Sequence, residues 1–211
     1  MNIYIDGSAN DFVAAWAFSI QCPDNSVIED RGSELDRSAQ WAEVLALNQA
    51  LRALMGHYHK SLERNLLGNS TIDGSSVEPD SESQSGFGKD QSLLEFYENT
   101  SNINLYTDSD YVFKTLTQYL KSWKQKGWKK ARGGFPQYLA IWKCIDKAIS
   151  ELSNQNIFIN PLKIDSHSGI EGNERVDTIA RELIKNSPIA QEFGKDGYNS
   201  QQQIPPIFKQ S

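Results

Sequence analysis

The spacing of apolar residues switches between the two-residue period of strands and the wider period of helices. Residues 2 to 6 (Asn-Ile-Tyr-Ile-Asp), 14 to 21 (Ala-Ala-Trp-Ala-Phe-Ser-Ile-Gln) and 26 to 35 read as short strands, with Cys22-Pro23-Asp24-Asn25 as the turn between the second and third. Three such segments in succession predict an antiparallel meander. Ser38 then stands as a helix cap, and Trp41, Val44, Leu45, Leu47, Leu51 and Leu54 recur at helical spacing as far as Gly56.

Regularity resumes with a strand at Ile103-Asn104-Leu105-Tyr106-Thr107-Asp108, followed at once by a helical run from Asp110 to about Lys126. Strand, tight turn and helix make an α/β unit. A second helix from Gln137 carries Tyr138, Trp142, Ile145, Ile149 and Leu152 on one stripe, and residues 157 to 165 read as a fifth strand. A last helix from Glu174 to about Lys185 offers Val176, Ile179, Ala180 and Leu183 to a core and stops before Pro188. Between Gly56 and Ser101 the pattern breaks down: serines sit among Gly, Asp and Glu, with three cations against eight acids. That composition predicts an insertion, flexible at least over 68 to 92, with a helical turn near Leu93 to Tyr97. The organisation expected is one domain over 1–186, interrupted at about 57–101, and a loosely ordered tail over 187–211.

Length and composition fit that picture. The chain has 211 residues, 38% apolar and 23% charged, with a net charge of −6, which suits one soluble domain with a sizeable core. The first residues have no basic leader, and the longest nearly apolar run, 12 to 18, is far short of a bilayer span. Neither secretion nor membrane insertion is expected. Cys22 and Cys144 are too few for a disulfide framework or a CxxC metal site, and are expected to be buried fillers in a reducing cytoplasm.

Charge is unevenly spread. Lys121, Lys124, Lys126, Lys129, Lys130 and Arg132 fall in one stretch without an acid, leaving 15 cations against 27 acids elsewhere. A basic arm on an acidic protein is the electrostatic footprint of a polyanion partner, since neutralised phosphates release condensed counterions. The same charge pattern also suits a solvated helix face.

The acids carry the chemistry. Asp6 closes the predicted first strand and Asp108 the fourth; if these strands pair in parallel, both carboxylates emerge at one carboxyl edge of the sheet. Glu43 shares a helix face with Leu47 and Ala50, and Asp177 lies on the last helix beside Val176. Each alone has an ordinary explanation. Gathered, they could not stay ionised without cations, and hard oxygen ligands select Mg²⁺ or Mn²⁺, a pair of which can activate water and stabilise the leaving oxygen of a phosphodiester.

Five segments resemble the type 1 ribonuclease H family: Ile5-Asp6-Gly7-Ser8; Glu43 within Ala42-Glu43-Val44-Leu45-Ala46-Leu47; Tyr106-Thr107-Asp108-Ser109-Asp110-Tyr111-Val112; the basic Trp123-Lys124-Gln125-Lys126-Gly127-Trp128-Lys129; and the stretch from His167 through Asn173-Glu174-Arg175 to Asp177, with the family's ten-residue separation. The resemblance covers about 1 to 56 and 102 to 186. It implies an α/β fold with a mixed five-stranded sheet in the order 3-2-1-4-5 flanked by helices. It implies Asp6, Glu43, Asp108 and Asp177 as ligands of two Mg²⁺ ions, with Mn²⁺ as an alternative, and His167 as a proton-transfer or product-release residue. The implied activity is endonucleolytic hydrolysis of the RNA strand of an RNA/DNA hybrid, leaving a 3′-hydroxyl and a 5′-phosphate, by a monomer in the cytoplasm.

Trp123, Lys124, Lys126, Trp128 and Lys129 are the candidate nucleic-acid contacts of the arm, the indoles either packing against sugars or bracing it. Where the family has a glycine- and proline-rich turn, this chain has Ala9-Asn10-Asp11-Phe12, and Ala39-Gln40 replaces a pair of asparagines. Asn10 and Gln40 are the remaining candidates there for contact with a ribose or base edge. Two other classes are weighed: a nuclease of relaxed specificity on the same fold, and a noncatalytic hybrid-binding module. A proofreading-type exonuclease wants Asp-x-Glu on the first strand, which Asp6-Gly7-Ser8 does not supply.

Overall fold

The structure is a computed structural model and describes residues 1–68 and 102–189. The greater part of the stretch read as an insertion, and the end of the chain from residue 190, lie outside the described residues. The meander forms as β1 (Asn2–Ala9), β2 (Val13–Gln21) and β3 (Val27–Leu35), followed by α1 (Ala39–Gly68). β4 (Asn102–Thr107) leads through a tight turn into α2 (Asp110–Lys114), a π-helical turn (Thr115–Tyr119) and α3 (Leu120–Gln125). α4 (Leu139–Asn154), β5 (Phe158–Lys163) and α5 (Glu171–Lys185) complete the order.

The five strands form one mixed sheet in the order β3-β2-β1-β4-β5, as expected. β1 and β2 pair antiparallel from Asn2↔Gln21 to Ala9↔Ala14, whereas β1 and β4 pair parallel only from Asn2↔Asn104 to Tyr4↔Tyr106. β5 runs parallel to β4 at the far edge, the kind of strand to which a proline such as Pro161 is confined.

Alternation along the central strands sends side chains to two cores. Ile3, Ile5, Phe18 and Ile20 pack with Leu47, Leu51 and Leu54 of α1 and Trp142, Ile145 and Leu152 of α4. Tyr4, Ala15 and Ala17 face Val176, Ile179 and Ala180 of α5 on the other side. That second interface is close: a methyl group at Gly172 would fall on the Tyr4 ring.

Several elements run differently from the pattern along the chain. β1 continues past Asp6 to Ala9, because β2 still pairs with it after β4 has stopped. α1 passes through Gly56, where it was expected to end; the glycine penalty of about 1 kcal/mol is outweighed by Tyr58, which is buried in the main core. The helix after β4 opens into the π-helical turn, and α5 starts at Glu171, one turn before its predicted start. Cys22 is buried, but Cys144 is exposed: it lies off the Trp142–Ile145 stripe of α4.

Candidate active site

The site is assembled where β1 and β4 part. Extending the Tyr4↔Tyr106 register by two residues sets Asp6 opposite Asp108, at the point where β4 turns towards α2. Thr107 Oγ1 accepts from the Ser109 amide at 3.1 Å, and Ser109 Oγ accepts from the Val112 amide as the α2 cap. The turn holding Asp108 is therefore tied at both ends.

Glu43 reaches the same place from α1, and Gly7 decides how near it comes. A Cβ on Gly7 would collide with the backbone of Ala42 and Glu43, so the helix can lie against β1 only because this residue has no side chain. The Gly7 backbone amide also acts to lower the pKa values of Asp6 and Glu43, against the larger effect of burial.

Asp6, Glu43 and Asp108 each present a carboxylate oxygen within 4.8 Å of the other two. Ser166 Oγ donates to Asp108 Oδ2 at 2.7 Å. Burial and then the charges of Asp108 and Asp177 push the Asp6 carboxyl up to about 7, while burial and then Asp6 and Asp108 hold Glu43 well above the usual carboxylate range. Glu43 Oε2 is buried and has no hydrogen-bond partner. A buried oxygen without a donor, in a cluster of three acids, is what a hard divalent cation would satisfy; the donor set fits Mg²⁺ or Mn²⁺.

Asp177 takes up a neighbouring position. It lies near enough to Asp6 to raise that residue's pKa, yet its own carboxylate is paired with Arg181, Nε to Oδ1 at 2.8 Å. Arg181 Nη2 donates to His167 Nε2 at 2.9 Å, and His167 Nδ1 faces Glu174 Oε2 at 3.6 Å and Asp177 Oδ2 at 3.8 Å. His167, Glu174 and Asp177 thus form a second group of potential ligands beside the first.

The structure sorts the remaining candidates. Lys126 and Lys129 are exposed on the arm. Lys124 is paired with Asp146 at 2.8 Å, so its charge is partly spent within the protein. Trp123 is buried against Trp142 and Tyr119 and cannot meet a sugar; of its two predicted roles, bracing is the one it fills. Trp128 is half-buried at φ +66°, with Lys143 Nζ 5.8 Å above its ring. Asn10 is folded into the β1–β2 turn, where its Oδ1 accepts from the amides of Phe12 and Val13. Gln40 is half-buried in the first turn of α1. Asp110, two residues after Asp108, is drawn away by Lys114 at 2.7 Å and Lys163 at 3.8 Å.

Four neighbours of the acids were not singled out from sequence: Ser166, Glu174, Arg181 and Lys163, whose charge lowers the Glu43 pKa. Arg181 had a readable signal, since it follows Asp177 by four residues on a helix. Lys163 could be placed only through the Thr107↔Lys163 register, which no local pattern reveals.

Comparison with known proteins agrees with this geometry. Residues 90–185 match the family model described as RNase H. A curated ribonuclease H of Cyanothece sp. is 43% identical over 77 residues, which make up 36% of this chain and 45% of that protein. The chain spans about half the length of the curated relatives it matches. Two solved structures share the fold. One, described as a type 1 RNase H with the type 2 active-site motif, superposes with a TM-score of 0.52 at 16% identity, over 86% of this chain and 70% of that one. The other, a foamy viral protease-reverse transcriptase in complex with an RNA/DNA hybrid, gives 0.52 at 17% identity, over 86% of this chain and 19% of that one. The matched segment carries the fourth-strand acid, the basic arm and the histidine stretch, and the sheet order is the one that the resemblance to the type 1 ribonuclease H family implied.

Proposed function

We propose that this protein is an endoribonuclease that hydrolyses the RNA strand of RNA/DNA hybrids with two Mg²⁺ ions, leaving 3′-hydroxyl and 5′-phosphate ends. The observation that carries the reading is the convergence of Asp6, Glu43 and Asp108 to within 4.8 Å from three separate elements. A noncatalytic binding module gains nothing from clustered carboxylates facing a polyanion, because their repulsion must be overcome before any phosphate approaches.

Asp6, Glu43 and Asp108 would hold one ion, and Asp6 with Asp177 the second. Bound divalent ions supply the charge that neutralises the phosphate, acidifies the attacking water and stabilises the departing 3′ oxygen. The protein's own part is positional. Ser166 keeps one Asp108 oxygen oriented, Gly7 keeps Glu43 close to Asp6, and Arg181 balances Asp177. With Arg181 donating to Nε2, the His167 proton sits on Nδ1 towards Glu174, so Nε2 is the atom that can receive a proton once Arg181 moves aside. All these groups come from one chain, which suits a monomer. The arm's exposed cations would follow the phosphates of the hybrid, partner to the site.

The deciding experiment is cleavage of matched RNA/DNA, RNA/RNA and DNA/DNA duplexes in Mg²⁺, Mn²⁺ or EDTA, with Asp108→Asn as control. Cleavage confined to the RNA of the hybrid, lost in EDTA and in Asp108→Asn, is expected. Cutting that survives both would remove the two-ion proposal, equal cutting of DNA/DNA would favour a relaxed nuclease, and tight hybrid binding without cleavage would favour a binding module.

A further inference from the structure

Phe135 is, at 59% exposure, the most exposed large apolar side chain among the described residues. It is not at a frayed end. The Lys130 amide donates to the Gly134 carbonyl and the Gly133 amide to the Lys130 carbonyl, both at 3.0 Å, closing a turn in which Gly133 and Gly134 take φ of +82° and +72°. The next residue, Pro136, is buried. A closed turn on one side and an anchored proline on the other hold the Phe135 ring outward at a fixed place.

Its surroundings specify the partner. No acid occurs from residue 111 to 145, and Lys129, Lys130 and Arg132 of the same turn region are exposed. The arm's other large aromatics, Trp123 and Trp128, are already engaged with the core. An apolar protein partner would leave those cations stripped of water and unpaired, whereas a nucleic acid satisfies them. A bare aromatic among cations is how sequence-tolerant single-strand binders hold a base, since every base has a π-face. In a paired duplex those faces are already stacked. The ring therefore suits an unpaired nucleotide next to the duplex.

We propose that Phe135 is a stacking platform for an unpaired base of single-stranded DNA that continues from the hybrid, with Lys129 and Lys130 holding the adjoining phosphates. The choice of DNA rests on the nuclease reading: the RNA strand is consumed, so only a grip on DNA outlasts turnover. The platform itself does not depend on catalysis.

The test is fluorescence anisotropy of the full chain in EDTA with labelled dT20, rU20 and a blunt RNA/DNA duplex. Phe135→Ala should weaken dT20 binding about tenfold, within the range spanned by loss of one base–aromatic stack, and leave the blunt duplex within about twofold. Phe135→Tyr should restore dT20 binding and Phe135→Leu should not. Lys129→Gln with Lys130→Gln should instead flatten the salt dependence by about one to two units of slope. Unchanged dT20 binding in Phe135→Ala, full affinity in Phe135→Leu, equal loss on the blunt duplex, or no dT20 binding by the unaltered chain would each overturn the platform. Tighter and equally Phe135-dependent binding of rU20 would overturn the choice of DNA. Because no metal is present, a chain that binds dT20 in this way yet cuts no hybrid would fail only the nuclease reading.

Discussion

Asp6 and Asp108 face each other two residues beyond the last paired residues of β1 and β4, Tyr4 and Tyr106, so the acids meet where the parallel ladder has already ended. Their backbones no longer exchange the bonds that hold a sheet together, while β2 still supports β1 from the other side at Asp6↔Ala17. Asp6 is therefore fixed in a strand and Asp108 in a tied turn. Two like charges are thus held near each other by structure that does not depend on their own attraction.

That arrangement predicts stability that falls with rising pH in the absence of metal. The Asp6 pKa is raised from 3.8 to about 7 in the folded protein, so its contribution is fully present below the unfolded value and is lost as pH rises through about 7. Glu43, also raised, acts in the same direction. The lowered carboxylates, Asp24, Glu29 and Asp110, lose their contribution only at acid pH and leave this window alone. A three-unit shift corresponds to on the order of 4 kcal/mol at most. Thermal denaturation in EDTA should give a lower Tm at pH 8 than at pH 5, Mg²⁺ should restore it mainly at pH 8, and Asp6→Asn should remove most of the slope. A Tm that climbs steadily from pH 5 to 8 in EDTA would contradict this account.

Gly7→Ala should do more harm than its single methyl suggests. The added Cβ meets the backbone of Ala42 and Glu43, which cannot rotate aside, so α1 must move off β1 and carry Glu43 with it. We expect a loss of about 2–3 kcal/mol together with weakened Mn²⁺ binding by calorimetry. Gly172→Ala makes a comparable collision with the Tyr4 ring on the opposite face and should cost similar stability with a smaller loss of metal affinity. Equal metal affinity in the two variants would show that Gly7 does not position Glu43.

The contrast between these two glycines also marks what the sequence could and could not say. The antiparallel meander was legible from strand periodicity, and the approach of Asp6 to Asp108 followed once their strands were taken to pair in parallel; the full sheet order came from the resemblance to the ribonuclease H family. The full length of β1 was not, since Gly7-Ser8-Ala9 carries no apolar alternation and is held in the strand by β2. The end of α1 was misjudged for a related reason: Gly56 reads as a stop, and only the burial of Tyr58 two residues on reveals that the helix has more to gain by continuing. The four acids could be nominated together from local motifs. That Asp177 would be paired with Arg181 depends on side-chain geometry, which the motif does not contain.

The basic arm should divide under mutation according to burial. Lys126→Gln and Lys129→Gln remove exposed charges and should raise KM and reduce the salt dependence of hybrid binding, leaving kcat at saturation nearly intact. Lys124→Gln should affect binding less, because Asp146 already occupies its ammonium. Trp123→Ala empties a buried site beside Trp142 and should cost about 3–5 kcal/mol of stability. Urea denaturation with binding measured at a temperature where each variant is folded separates the two effects. A Trp123→Ala protein of unchanged stability with weakened binding would return that indole to the interface.

Arg181→Met tests the balance between the two groups of acids. Arg181 neutralises Asp177 at 2.8 Å and is the cation that holds the Asp6 pKa down from beyond Asp177. Removing it leaves Asp177 charged beside Asp6 with one counter-charge fewer, so the Asp6 carboxyl should titrate above about 7 in a metal-free carbon-detected NMR titration. His167 loses the donor to Nε2 in the same variant, and its imidazole resonances should shift without any change of fold. Arg181→Lys keeps the charge but cannot span both partners from a planar fork, and should restore the Asp6 titration while leaving the His167 signals displaced. An Asp6 midpoint that is the same in all three proteins would mean that Arg181 does not govern the charge state of the site.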